Sequence, residues 1–202
     1  MALTARNHHG QTALDPDEAE GLKLHGVASR HELDEHEQHN IESAKLQVAA
    51  LRITPQLLFS ERFLRRLHKM MFGEVWRWAG QFRQTDKNIG VGKWQIGIEL
   101  KKLCDDALFW HEAQTYPPDE LALRFKHRLV SIHCFPNGNG RHSRLVADLI
   151  VTRLYGGVPF SWGRHAGDPL LHDVGAIRDA YLTAMRAADR GEFGPLLAFA
   201  RS

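Results

Sequence analysis

His133, Arg141 and Arg144 lie in one short run, His133-Cys134-Phe135-Pro136-Asn137-Gly138-Asn139-Gly140-Arg141-His142-Ser143-Arg144. A loop this rich in glycine and asparagine takes left-handed backbone angles and turns several N–H groups toward one point. It leads straight into a helix N-terminus, where unpaired donors and the macrodipole both attract an anion. Arg141 and Arg144 are three positions apart, close enough on one helical face to serve a single ligand. Two guanidiniums, a backbone nest and a helix start suit a polyphosphate, whereas an isolated carboxylate would need less. His133 stands at the mouth of the loop. The helix end and the two arginines disfavour its protonated form, leaving a neutral imidazole able to take a proton from an incoming hydroxyl. Taken singly, an Asn-Gly turn and a histidine at a helix end are ordinary structural features. The functional reading rests on their conjunction.

Two apolar helices must hold this run. Leu121, Phe125, Leu129 and Ile132 form a stripe that ends where His133 begins, behind a Pro117-Pro118-Asp119 start. Leu145, Val146, Leu149, Ile150 and Leu154 mark the following helix, stopped by Gly156-Gly157. Upstream, residues 31–51 read as a helix with acidic residues first, suited to its positive dipole end, and Ile41, Ala44, Leu46, Val48 and Leu51 later. Thr54-Pro55 opens a helix carrying Leu57, Leu64, Leu67 and Met71 to Gly73, and a short helix with Val75, Trp76 and Trp78 stops at Gly80. Residues 81–97 break the helical period, and their glycines and β-favouring residues predict a small hairpin. Helical pattern resumes through Leu100 to Trp110 and again from Val174 to Ala188. Residues 1–30 are polar and aperiodic, an arm laid over a domain of residues 31–202. The expected fold is mainly α with one small hairpin.

Lys plus Arg number 26 and Asp plus Glu 24, a net charge of +2, which makes no case for direct nucleic-acid or membrane binding. The basic stripe Arg62, Arg65, Arg66 and Lys69 reads as a solvated helix face. Two cysteines are too few for a disulfide scaffold. No apolar run approaches the roughly 20 residues of a membrane span, and the N-terminus lacks a signal-peptide core. A cytoplasmic protein is expected. The thirteen histidines suggest metal, but His31 and His36 are five apart, which turns them to different faces, and His172-Asp173 is a lone pair.

The run HCFPNGNGRHSR resembles the signature of Fic (filamentation-induced-by-cAMP) proteins, His-x-Phe-x-Asp/Glu-Gly-Asn-Gly-Arg-x-x-Arg. LHKMMFGEVWRWAGQFR resembles the helix and turn before that family's flap, and YLTAMRAADRGEFGPLLAF its last helices. With the LDPDEAEGL arm, the chain is most similar to the subgroup called mobile mystery protein B, over about residues 10–201. The resemblance implies a Fic-type helical bundle with a β-hairpin flap, and a toxin-like nucleotidyltransferase that moves AMP from ATP to a Ser, Thr or Tyr hydroxyl of a target protein. His133 would be the general base. Gly138, Asn139 and Gly140 would form the nest for the α- and β-phosphates, with Arg141 on the β-phosphate and Arg144 on the γ-phosphate. Phe135 would anchor the loop. Residues 86–96, with Ile89, Gly90, Val91 and Trp94, would dock the target as an added strand.

Asn137 departs from the pattern, standing where the family has the Asp or Glu that holds magnesium. An amide oxygen ligates a hard cation without a full charge, hence more weakly. Three outcomes follow: AMP transfer with magnesium held loosely or brought by ATP, another phosphate-containing donor, or a catalytically silent phosphate-binding protein. The helix over 31–51 lacks the family's inhibitory Ser/Thr-x-x-x-Glu-Gly/Asn motif, so inhibition is expected from a separate chain, such as a helix-turn-helix partner.

Overall fold

Short hydroxyl- and carboxyl-bearing side chains start the first four helices of the computed structural model, which describes residues 15–27, 29–163 and 174–202. Asp15 precedes α1 (Pro16–Ala19). Ser29 caps α2 (Arg30–Ala49), accepting from the Glu32 N–H at 3.2 Å while the Glu32 carboxylate takes the Ser29 N–H. Thr54 and Ser60 cap α3 (Pro55–Leu58) and α4 (Glu61–Phe72) by accepting the N–H groups of Leu57 and Phe63, each at 3.2 Å. Then come α5 (Ile96–Glu112), α6 (Pro118–Ile132), α7 (Asn139–Leu149) with a π-helical extension (Ile150–Leu154), α8 (Val174–Asp189) and α9 (Gly194–Arg201). The first fourteen residues of the arm and the His172-Asp173 pair lie outside the described residues.

Helix α4 packs on α2, α6 lies between α5 and α7, and α8 packs on α9. The predicted α6 stripe of Leu121, Phe125, Leu129 and Ile132 is buried, against Phe59, Phe63, Leu64, Val146 and Ile150 in one core. The α2 stripe differs from expectation at Leu46, which is 77% exposed; the buried face is Leu33, Glu37, Asn40, Ile41, Ala44 and Val48. A carboxylate therefore occupies a core position on α2. The expected helix at Val75–Trp78 is a run of turns, and its Trp76 forms an isolated bridge with Leu22 of the arm. Arm residues 15–23 lie across these turns: Lys23 N–H donates to Val75 O at 2.8 Å, and Arg77 N–H to Gly21 O at 2.8 Å. Asp15 and Glu18 take the Lys87 ammonium at 2.8 and 2.6 Å.

The hairpin predicted at 81–97 has no strand ladder among the described residues. Residues 81–92 are bends and irregular backbone, and Lys93–Gln95 form a 3₁₀ turn running into α5. The reason is Arg83, only 1% exposed. Its guanidinium donates to the carbonyls of His133 at 2.7 Å, Thr85 at 2.8 Å, and Val91. The carbonyls of Thr85 and Val91, which a hairpin would pair across its two strands, thus share one side chain. The backbone of the segment bonds instead to the α6–α7 junction, Arg83 N–H to Cys134 O at 3.0 Å and Val91 N–H to Ile132 O at 3.3 Å. No described helix is long and apolar enough to cross a membrane.

Candidate active site

Helix α6 stops because His133 turns left-handed, with φ 57° and ψ 59°. A side-chain-bearing residue pays roughly 1–2 kcal/mol for that conformation. Arg83 holds it there through the bonds to the His133 and Cys134 carbonyls. The turn sends Cys134 and Phe135 inward, both buried. Asn139 then clasps Phe135: its Oδ1 accepts the Phe135 N–H at 3.0 Å and its Nδ2 donates to the Phe135 carbonyl at 2.7 Å. The Asn139 side chain is thus a brace of the loop, and only its backbone N–H remains for a nest.

A second support comes from α4. His68 Nδ1 accepts the Gly80 N–H at 3.0 Å, so the proton sits on Nε2, which donates to the Asn137 carbonyl at 3.0 Å. The His68 ring stacks on Phe135 with centroids 3.8 Å apart, and His142 meets Phe135 edge-on at 5.3 Å. Burial holds His68 well below the usual histidine range and pushes His142 down to about 4, so both are neutral props. Gly138 has φ 79°, and a Cβ there would lie 2.6 Å from the Phe72 ring. Only glycine fits at that point.

The Gly138 N–H donates to Asn137 Oδ1 at 2.6 Å. The next three N–H groups, of Asn139, Gly140 and Arg141, begin α7 and have no acceptor among the described residues. They are the open part of the nest. Asn137 turns its oxygen into the loop. Among the described residues no group of three or more His, Cys, Asp or Glu side chains could hold a metal. The residues present do not fit a resident magnesium.

The two arginines share a helix face but engage different neighbours. Arg141 pairs with Glu37 of α2, Nη2 to Oε2 at 2.6 Å, and lies over the Phe72 ring at 4.9 Å. The other Glu37 oxygen takes the Trp76 indole N–H at 2.6 Å. Arg144 turns to α8, its guanidinium 5.9 Å from the Tyr181 ring, with no carboxylate at ion-pair distance among the described residues. Arg141 is thus ion-paired in this structure, whereas Arg144 is not, among the described residues.

His133 is 5% exposed, and its pKa is pushed down to about 4 by burial first, then by Arg83. The imidazole is neutral as expected, but the cause is burial and the 83–87 segment rather than the loop arginines. Gly90 lies directly on it, at φ 100°, where a Cβ would come within 2.7 Å of the His133 Cβ. Gly90 and Val91 are thus brought to the site, Ile89 is half-exposed, and Trp94 is 83% exposed beneath the Lys93 ammonium. Arg83, His68 and Glu37 were not legible as site residues, since each partner lies far along the chain. Glu37 alone carried a signal: it interrupts the apolar spacing Leu33, Ile41, Ala44, Val48.

The sequence model of the Fic/DOC family matches residues 58–151, which hold α4, the Arg83 segment and the whole His133–Arg144 run. Solved structures share the fold. Fic-1 of C. elegans superposes with a TM-score of 0.66 at 22% identity, over 91% of this chain and 51% of its own, so this chain spans about half of it. The N-terminal FIC domain of Bep8, a VirB-translocated effector of Bartonella sp. 1-1C, gives 0.66 at 16% identity over 90% of both chains. BepC of Bartonella tribocorum, solved with bound AMPPNP, gives 0.63 at 20% identity over 96% of this chain and 93% of its own. Residues 58–151, the segment that carries the site, thus match the Fic/DOC family, and the helical fold is that of Fic-domain structures.

Proposed function

We propose that this chain transfers AMP from ATP to a Ser, Thr or Tyr hydroxyl of a target protein. The observation that carries the reading is a neutral imidazole, His133, held in a fixed turn a few residues before three open N–H groups at the start of α7. Proteins of the family typically transfer AMP to proteins, and the AMPPNP bound to BepC supports a nucleoside triphosphate as donor. His133 takes the hydroxyl proton as the oxygen attacks the α-phosphorus, and the bond to the bridging oxygen breaks to release pyrophosphate. The open N–H groups and Arg144 take the negative charge of the phosphate chain. Because Gly90 covers His133, the hydroxyl enters beside the 86–92 segment, whose backbone would run along the target.

A second reading is favoured by Asn137, whose oxygen satisfies Gly138 rather than facing outward. It is a protein of the same fold that binds phosphate without transfer, or that uses another phosphate-containing donor. Incubation with labelled ATP, GTP, UTP and CTP, with and without magnesium, followed by mass spectrometry, separates the two. Under the first reading ATP adds AMP, and His133→Ala lowers the rate about 10²–10⁴-fold while ATP affinity stays nearly constant. Wild-type turnover in His133→Ala would remove the histidine from the chemistry.

A further inference from the structure

Helix α5 carries a stripe that no described element covers. Ile98, Lys102, Asp105 and Phe109 follow one another at steps of four, three and four, which keeps them on one side of a helix. All four are exposed, Ile98 at 70% and Phe109 at 63%. The opposite side of α5, with Ile96, Leu100, Leu103, Cys104 and Ala107, is buried in the core. Single exposed apolar residues are ordinary on a protein surface. The order of the chemistry along this stripe is not.

Taken from either end, the stripe runs apolar, charged, charged, apolar, with the same spacing and with charges of opposite sign. A two-fold axis through the midpoint, between residues 103 and 104, therefore carries Ile98 to the level of Phe109 and Lys102 to the level of Asp105. In an antiparallel pair of α5 helices each Ile98 meets the Phe109 of the other copy, and each Lys102 the other copy's Asp105. A parallel pair would instead set like charges side by side at both charged positions. Within one chain these charges are weakly engaged. Lys102 makes no ion pair with a described residue, and Glu99, one turn before it, is paired with Arg128 of α6. Asp105 is held by Lys101 at 2.7 Å in an exposed pair, a kind of bridge that is worth little and leaves room for a second ammonium.

We propose that a second copy of this chain docks on α5, antiparallel about a two-fold axis near residues 103 and 104. Burial of Ile98 and Phe109 supplies the attraction, while Lys102 and Asp105 set direction and register. The 17 residues of α5 make a face about 25 Å long and about 10 Å across, well short of the roughly 800 Å² per partner of a standard stable interface. The association is therefore weak, with a Kd in roughly the micromolar range or above. It does not rest on the AMP-transfer reading, since His133 and the open N–H groups belong to other elements.

The test is sedimentation equilibrium of the full chain at concentrations up to about 1 mM, enough to populate a complex of that affinity. Wild type should pass from monomer to dimer and no further, because a two-fold contact closes on itself. Phe109→Ser should raise the dimer Kd about tenfold or more, with the circular dichroism of the monomer unchanged because the ring is exposed. Lys102→Glu and Asp105→Lys should each weaken the dimer several-fold. The double variant restores opposite charges across the axis and should return to within about twofold of wild type. Oxidation of Ile98→Cys mixed with Phe109→Cys should join the two chains, whereas Ile98→Cys alone should join poorly, its two copies lying about 16 Å apart along the helix pair. A monomer at every concentration, a dimer indifferent to Phe109→Ser, a double variant no better than the single ones, or Ile98→Cys joining faster to itself than to Phe109→Cys would overturn the proposal.

Discussion

Two irregular stretches meet on His133, and they are held by different means. Residues 134–140 are gripped by their own asparagines and by neutral buried histidines, through Asn139 on Phe135, His68 on Asn137 and His142 against Phe135. Residues 83–92 are gripped by one buried arginine that gathers three carbonyls. Asn139 and His142, a few residues from Phe135, close part of the first stretch at little cost in chain entropy, while His68 reaches Asn137 from 69 residues away. A segment fastened to a junction some forty to fifty residues downstream has no such advantage, and a buried, fully bonded guanidinium supplies the fastening.

The largest consequence is a difference in response to acid. His133 and His142 have folded pKa values near 4, and His68 is lowered as well, against about 6.5 when unfolded. Between those values the unfolded chain binds more protons, so stability rises with pH. The contribution is fully present above about pH 6.5 and is lost as pH falls toward 4, by roughly 3 kcal/mol for each fully shifted histidine. Urea denaturation at pH 7, 5.5 and 4.5 should show a steep decline that becomes shallower in His142→Asn. A flat profile over that range would mean that the histidines are not buried neutral in solution.

Next in size is the arginine. Arg83→Met keeps the length of the stem but leaves buried carbonyls without donors, at a cost of about 3 kcal/mol or more. Limited proteolysis should then cut within 83–92 while residues 134–140 stay protected. Cleavage of both stretches at equal rates, or a stability change below about 1 kcal/mol, would show that the arginine is not the fastening.

The same division explains what the sequence disclosed. The α6 stripe, the Thr54 cap and the glycine-rich loop depend on neighbours within a turn or two, so spacing alone located them. Ile89, Val91 and Trp94 have strand propensity, which is a statement about a half-buried pleated surface. Here Trp94 faces solvent and the Val91 carbonyl belongs to Arg83, so the propensity had no ladder to join. Arg141 looked like a free phosphate donor because Glu37, its partner, lies in an acidic run that reads as a complement to the α2 dipole. Only the burial pattern of α2 separates Glu37 from Glu32 and Glu35, both exposed.

The smallest effect tests whether Asn137 belongs to the loop alone. Its Oδ1 accepts the Gly138 N–H at 2.6 Å, and an aspartate oxygen can make the same bond, so Asn137→Asp should leave stability within about 0.5 kcal/mol. The added charge acts on the ligand instead. Without metal, a carboxylate next to the open N–H groups of α7 repels phosphate, and ATP should bind more weakly than to wild type. With magnesium the same carboxylate supplies an anionic ligand at position 137, and magnesium-ATP should bind at least as tightly. Titrations with and without magnesium should therefore move in opposite directions. If both weaken, the new charge meets phosphate and no metal comes near, and position 137 serves the loop's backbone only. If neither moves, the carboxylate is screened from the ligand, and the donor compound sits nearer Arg144 than the start of α7.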